Sequence, residues 1–212
     1  MEYLREGLLV VVSGCSGAGK NTVLRELLAG HPGLVYSVSA TTRPPRPGEV
    51  HGRDYFFLSE EEFAAARTAG EFLEWAEVYG HYYGTPRRFI EEMQAQKKNV
   101  LLDLDINGAL SVRKKKPEAV LIFLLPPSLA ALRQRLLARG TDSAGEIEKR
   151  LSQAELEIQA MESYDYVVVN RDVKEASETI WSIMVAEACS TRRRDLAGLA
   201  AMLRQGEVNG RE

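Results

Sequence analysis

Apolar positions in this chain fall into two repeating textures. Leu8-Leu9-Val10-Val11-Val12 and Val120-Leu121-Ile122-Phe123-Leu124-Leu125 are unbroken apolar runs, and Val100-Leu101-Leu102-Asp103-Leu104-Asp105 is apolar up to its carboxylates. Short runs with no polar side read as strands covered on both faces. Between them, apolar residues recur at helical spacing. Val23, Leu24, Leu27 and Leu28 form one such set, and Leu129, Leu132, Leu136 and Leu137 form another behind a capping Ser128. Further helices are expected over 144–161 and 173–192, and short strands at 35–39 and 166–170. Strand and helix in alternation predict an α/β fold with a parallel sheet flanked by helices. The first helix is expected to stop at Gly30, with Pro32 beyond it.

The texture breaks at 40–88. Arg43-Pro44-Pro45-Arg46-Pro47-Gly48 suits neither a helix nor a central strand. Two β-like pieces, Tyr55-Phe56-Phe57-Leu58 and Phe72-Leu73-Glu74-Trp75, surround a capped helix start at Ser59-Glu60-Glu61-Glu62-Phe63. Pro86 fits the first turn of a helix running to Gln96. The segment reads as a small insertion in a core formed by 1–39 and 89–194. Residues 195–212, polar at their end, read as a frayed, flexible tail.

The 212 residues are 45% hydrophobic, enough for a sizeable core and too apolar for disorder. The formal net charge of −3 supplies no global basic field for nucleic acid. No apolar run is long enough to span a bilayer, and the first residues lack the pattern of a signal peptide, so a cytoplasmic protein without a membrane partner is expected. Cys15 and Cys189 offer neither a disulfide framework nor metal-ligand spacing. The run Arg113-Lys114-Lys115-Lys116 falls at a helix end, where cations suit the dipole and water, and it lacks interleaved aromatics that would mark a nucleic-acid site. The sequence does not choose between monomer and dimer.

Chemistry enters at Gly14-Cys15-Ser16-Gly17-Ala18-Gly19-Lys20, between the first strand and the first helix. Strand, Gly-rich turn ending in Gly-Lys, then helix is the layout of a P-loop. Its glycines let backbone N–H groups converge on phosphate oxygens, the helix N-terminus adds partial positive charge, and Lys20 reaches the outer phosphates. The motif expects Ser or Thr after the lysine; here Asn21 stands there and Thr22 follows. Either Thr22 or water completes a Mg²⁺ shell, or the phosphates hold the ion themselves.

Phosphoryl transfer between two polyanions needs further cations. Arg43 and Arg46 lie in the stiff Pro-rich loop; Arg135, Arg139 and Arg150 flank a Gly-containing stretch that suits a lid over about 138–150. Asp103 and Asp105, two apart, are expected on one strand face, near Mg²⁺ or its waters; the alternative is that they cap the helix at Asn107. Glu74 lies in an apolar segment and must be paired, for which a guanine edge with two donors is suited. Tyr55 and Tyr83 suit a phosphate, with their rings packing inside the insertion, and Ser39 and Thr85 are small hydroxyls able to discriminate a base or a phosphate. Cys15, near a helix N-terminus, is expected either to have a lowered pKa and be oxidisable or simply to fit the turn.

These motifs together resemble the guanylate kinase family. The resemblance rests on Ser37-Val38-Ser39-Ala40-Thr41-Thr42-Arg43-Pro44-Pro45-Arg46-Pro47-Gly48-Glu49, Gly52-Arg53-Asp54-Tyr55-Phe56-Phe57, Phe72-Leu73-Glu74-Trp75-Ala76, Tyr82-Tyr83-Gly84-Thr85-Pro86, Leu102-Asp103-Leu104-Asp105-Ile106-Asn107-Gly108 and Arg139-Gly140-Thr141-Asp142, in the family's order. It covers roughly 7–190. It implies ATP-dependent phosphorylation of GMP, and of dGMP, to the diphosphate, by a P-loop core carrying a GMP-binding insertion and a lid. On the ATP side it implies the P-loop with Asn21 and Thr22, Arg139, Arg150 and Asn170, which Arg135 joins by its place before the lid. On the GMP side it implies Ser39, Arg43, Arg46, Tyr55, Glu74, Tyr83, Thr85 and Asp103, with Asp105 beside them. Lys20, Arg43, Arg139 and Arg150 would act on the transferring group, and Mg²⁺ would lie near Thr22 and Asp103. Cys15 replaces the family's usual proline, Asn21 its Ser or Gly, and Arg171 its Asp. Two rivals are a P-loop kinase with another acceptor and a guanylate-kinase-like domain that binds proteins without catalysis. The second needs neither Lys20 nor the lid arginines, all of which are present.

Overall fold

The apolar runs become the strands of a five-stranded parallel sheet. The computed structural model describes residues 6–78, 80–139 and 143–209. In it β1 (Leu9–Gly14) lies between β7 (Val100–Asp103) and β8 (Val120–Leu125); β2 (Val35–Tyr36) joins outside β7 and β9 (Tyr166–Val169) outside β8. Residues two apart on a strand share a face, so β1 feeds two cores at once. Val10 and Val12 pack with Val23 and Leu27 of α1 (Lys20–Gly30) and with Ile180 and Met184 of α7 (Val173–Cys189). Leu9 and Val11 pack with Ile90 of α3 (Arg87–Ala95) and with Ala109 and Val112 of α4 (Ile106–Lys115). Burial on both faces is the reason these strands carry no polar alternation.

A second sheet comes from the segment whose texture breaks the pattern. Its order is β4 (Phe56–Phe57), β3 (Ala40–Thr41), β6 (His81–Pro86), β5 (Phe72–Val78). β5 and β6 form an antiparallel pair with an irregularity between Phe72 and Glu74. α2 (Glu60–Thr68) starts with the expected capping box, Ser59 with Glu62, and buries Phe63 in a stack on Phe72 at 4.6 Å and on Tyr82 at 5.5 Å. Strand β6 is not expected from the sequence: Gly84 and the run of aromatic and polar residues hide its period.

The structure refines the reading at three places. The strand bearing Asp103 ends there, and Asp105 is instead the N-cap of α4, accepting from the Gly108 N–H at 2.7 Å. The two aspartates therefore do not share a strand face; the helix-cap alternative describes Asp105. Within the segment read as a frayed tail, α8 spans Leu196–Asn209, and Asp195 accepts from the Gly198 N–H at 3.0 Å. Leu- and Ala-rich composition at the start of that stretch favours helix over the polar end. The long helix expected over 144–161 is α6 (Ala144–Ile158) followed by a 3₁₀ turn at Gln159–Ser163.

α5 (Leu129–Arg139) and α6 flank residues 140–142, which lie outside the described residues together with the Arg139 side chain. Leu132, Leu136, Ile147 and Ala154 from these helices pack under Cys15, Ala18 and Phe123, so the P-loop rests on a hydrophobic base. An ion pair between Arg133 and Glu148 joins the two helices. Among the described residues no helix is long and apolar enough to cross a membrane.

Candidate active site

Three cavities meet at the carboxyl end of the parallel sheet, the usual ligand position in an open α/β sheet. The first, about 360 Å³, lies between the two sheets and is lined by Tyr36, Ser39, Glu74, Tyr83 and Asp103, with Lys20 at its core side. The second, about 320 Å³, adjoins it and is lined by Arg43, Arg46, Arg53, Tyr55 and Tyr83. The third, about 610 Å³, follows the P-loop from Gly14 to Thr22 and is closed by Asp105, Gln153 and Glu157.

The P-loop takes its shape from close packing. Gly19 has φ 91°, and a Cβ there would stand 2.6 Å from the Asn170 side chain. A side chain at Gly14 would meet the Leu124 carbonyl at 2.2 Å. Asn170, 1% exposed, donates from Nδ2 to the Ala18 carbonyl at 2.8 Å, and Arg135 donates to the same carbonyl at 3.0 Å and to the Asn170 carbonyl at 2.8 Å. Both residues expected on the ATP side thus fix the loop from behind. The Ser16 N–H donates to Glu157 of α6 at 3.1 Å. Lys20 Nζ contacts the Asp103 carboxylate at 2.6 Å and donates to the Leu104 carbonyl at 2.7 Å.

Cys15 is buried, and burial, with the nearby Glu157 charge, pushes its thiol up to about 11. A lowered pKa at this thiol is therefore overturned: removal from water outweighs the helix N-terminus. Cys15 fits the turn as a small apolar residue.

Glu74, 3% exposed, accepts a hydrogen bond from the Thr85 hydroxyl, and Gly108 leaves room for its carboxylate against the first turn of α4. Burial raises its pKa to about 7, partly offset by Thr85. Thr85 itself is fully buried and serves Glu74 rather than lining the cavity. Lys115 Nζ donates to the Leu73 carbonyl at 2.6 Å, clipping α4 to β5 beside Glu74. Arg113 of the same basic run pairs with Asp165 and donates to the Pro117 and Ala119 carbonyls. Part of that run is thus a tie within the fold rather than a solvated helix end.

In the Pro-rich loop, Arg43 donates to both Glu49 oxygens, at 2.9 and 3.0 Å, and lies over the rings of Tyr55 and Phe57 at 5.4 and 5.9 Å. The guanidinium holds Glu49 below the usual carboxylate range. Tyr36 was not singled out from the sequence, yet it lines both inter-sheet cavities. Burial and the Asp103 charge raise its pKa. Its place at the end of a short strand beside the P-loop sheet is the only signal that marks it.

Of the two residues expected near a metal, Thr22 lines the P-loop cavity, whereas Asp103 lines the other two and pairs with Lys20. Among the described residues no group of three or more His, Cys, Asp or Glu is placed to hold an ion. A Mg²⁺ that keeps most of its waters requires no such group from a protein.

The model of the guanylate kinase family matches residues 6–187. The chain belongs to the guanylate kinase family. The guanylate kinase of Symbiobacterium thermophilum is 51% identical over 203 residues, covering 96% of each chain. That of Thermotoga maritima is 47% identical over 191 residues, covering 90% of this chain and 92% of the relative. The crystal structure of guanylate kinase from Anaplasma phagocytophilum superimposes with a TM-score of 0.77 at 36% identity, over 96% of each chain. The guanylate kinase resemblance read from the motifs is therefore correct, and so is the α/β P-loop class.

Proposed function

We propose that the chain transfers the γ-phosphoryl group of ATP to GMP, and more weakly to dGMP, giving ADP and GDP. Family membership supports the reaction. The observation that carries the residue assignment is a buried acceptor, Glu74, facing a cavity that also reaches the P-loop lysine. An ionised carboxylate there accepts from the two donors of a guanine edge, with Thr85 fixing its rotamer and Ser39 and Asp103 beside it. Arg43, Arg46, Tyr55 and Tyr83 bind the GMP phosphate.

One GMP phosphate oxygen attacks the γ-phosphorus in line, and the bond to the β–γ bridging oxygen breaks to release ADP. The acceptor oxygen is already ionised, so no general base is required. Lys20, Arg43, Arg139 and Arg150 neutralise charge on the transferring group, while Asn170 and Arg135 hold the loop whose amides cradle the triphosphate. Mg²⁺ supplies further charge neutralisation when bound, with Thr22 as the hydroxyl beside it.

The test is ADP formation from ATP and Mg²⁺ with GMP, dGMP, AMP, CMP or UMP as acceptor. GMP is expected to turn over fastest, dGMP more slowly and the others negligibly. Lys20→Ala should lose at least about a hundredfold in kcat. Equal rates with AMP and GMP would remove the assignment of Glu74.

A further inference from the structure

We propose that the Asn21 carboxamide is a ligand of the acceptor phosphate, serving the acceptor side of the site rather than only the ATP side. The inference rests on GMP being the acceptor and assigns one more residue to its phosphate. Among the described residues, Asn21 alone lines all three cavities: the base cavity with Glu74, the arginine cavity with Arg43 and Arg46, and the P-loop cavity. Thr22, the next residue, lines only the last of these.

The placement follows from local geometry. Asn21 is the second residue of α1, directly after Lys20, whose ammonium is bound to Asp103 and the Leu104 carbonyl on the acceptor side. Asn21 is exposed, and its carboxamide makes no hydrogen bond to any described residue, so its Nδ2 donors are unspent. Its backbone N–H belongs to the helix N-terminus and serves the triphosphate whatever the side chain is. The carboxamide therefore adds a function that the main chain does not need. Its Nδ2–H donates to an acceptor phosphate oxygen on the side facing the P-loop, opposite the Arg43 and Arg46 guanidiniums, and being neutral it leaves that oxygen nucleophilic. A serine hydroxyl at the same position is one bond shorter, and glycine supplies nothing.

Dissociation constants for GMP and for guanosine, which carries the base without the phosphate, separate this role from others. They are measured on the full chain for wild type, Asn21→Ala and Asn21→Gln, with KM for ATP alongside. Asn21→Ala is expected to weaken GMP about tenfold, the worth of one hydrogen bond to a charged group, while guanosine and the KM for ATP stay within about twofold. Asn21→Gln, which restores the donor on a flexible stem, is expected to recover part of the loss. Equal weakening of GMP and guanosine, an effect confined to ATP, or unchanged GMP affinity would each overturn the proposal. Wild-type chain that binds neither GMP nor guanosine would instead overturn the acceptor reading on which it rests.

Discussion

The role proposed for Glu74 couples recognition to pH through a single side chain. Its folded pKa of about 7 stands above the ordinary 4.5 because burial penalises the charge. Under the proposed function the ionised form accepts from a guanine edge, so kcat/KM for GMP should fall as pH drops below about 7, and the fall should be absent from a pH profile of Glu74→Gln. The stability effect runs the other way. A carboxyl that binds its proton more tightly when folded contributes stability fully below pH 4.5 and loses it as pH rises through about 7, by at most ~3 kcal/mol. Urea midpoints between pH 5 and 8 should therefore fall more for wild type than for Glu74→Gln; parallel curves would place the carboxylate in water. The need of Glu74 for a partner was legible in its apolar neighbours. That Thr85 is this partner was not, because the pairing depends on the β5–β6 register.

At the scale of elements, α6 acts on the P-loop from a distance in sequence. Glu157 accepts from the Ser16 N–H, and Arg150 lies two helical turns earlier, a spacing that returns to the same face. The helix that leads out of residues 140–142 is thus pinned to the phosphate loop near its far end. Glu157→Ala should raise KM for ATP about three- to tenfold, while Glu157→Gln, whose amide oxygen accepts the same bond, should stay near wild type. A steady-state titration of ATP at saturating GMP checks this, and an unchanged KM in the alanine variant would show that the bond does not position the loop. Capping chemistry was readable in advance at Ser59, where Ser is followed three residues later by Glu; the structure adds the same box at Ser143 and Glu146. It was ambiguous at Asp105, because a carboxylate at the end of an apolar run suits a strand end and a helix cap equally until the chain direction is known.

For the whole molecule, long-range ties convert a chain of elements into one site. Asn170, beyond the last strand, holds Ala18 in the first loop; Lys115, at the end of α4, holds Leu73 in the second sheet. Asn170→Ala would leave the Ala18 carbonyl with Arg135 alone and open space beside Gly19. The cost should be about 1–3 kcal/mol by thermal or urea unfolding, together with weaker ATP binding. A variant that loses stability but keeps its KM for ATP would show that Arg135 suffices to hold the loop.

Period, glycine spacing and proline are local properties of the chain, and they were enough to give the strand-loop-helix of the P-loop and the parallel class of the main sheet. The sequence also carried the family motifs, each of them contiguous. The tertiary structure decided what depends on residues far apart. The Cys15 thiol is raised rather than lowered because α6 covers it; Asp105 caps a helix because β7 ends early; Tyr36 enters the site because a two-residue strand joins the sheet edge. Asn21 reaches all three cavities because two sheets meet over one helix N-terminus. Burial and convergence are sums over neighbours that chain order does not list, and only the packed fold supplies them.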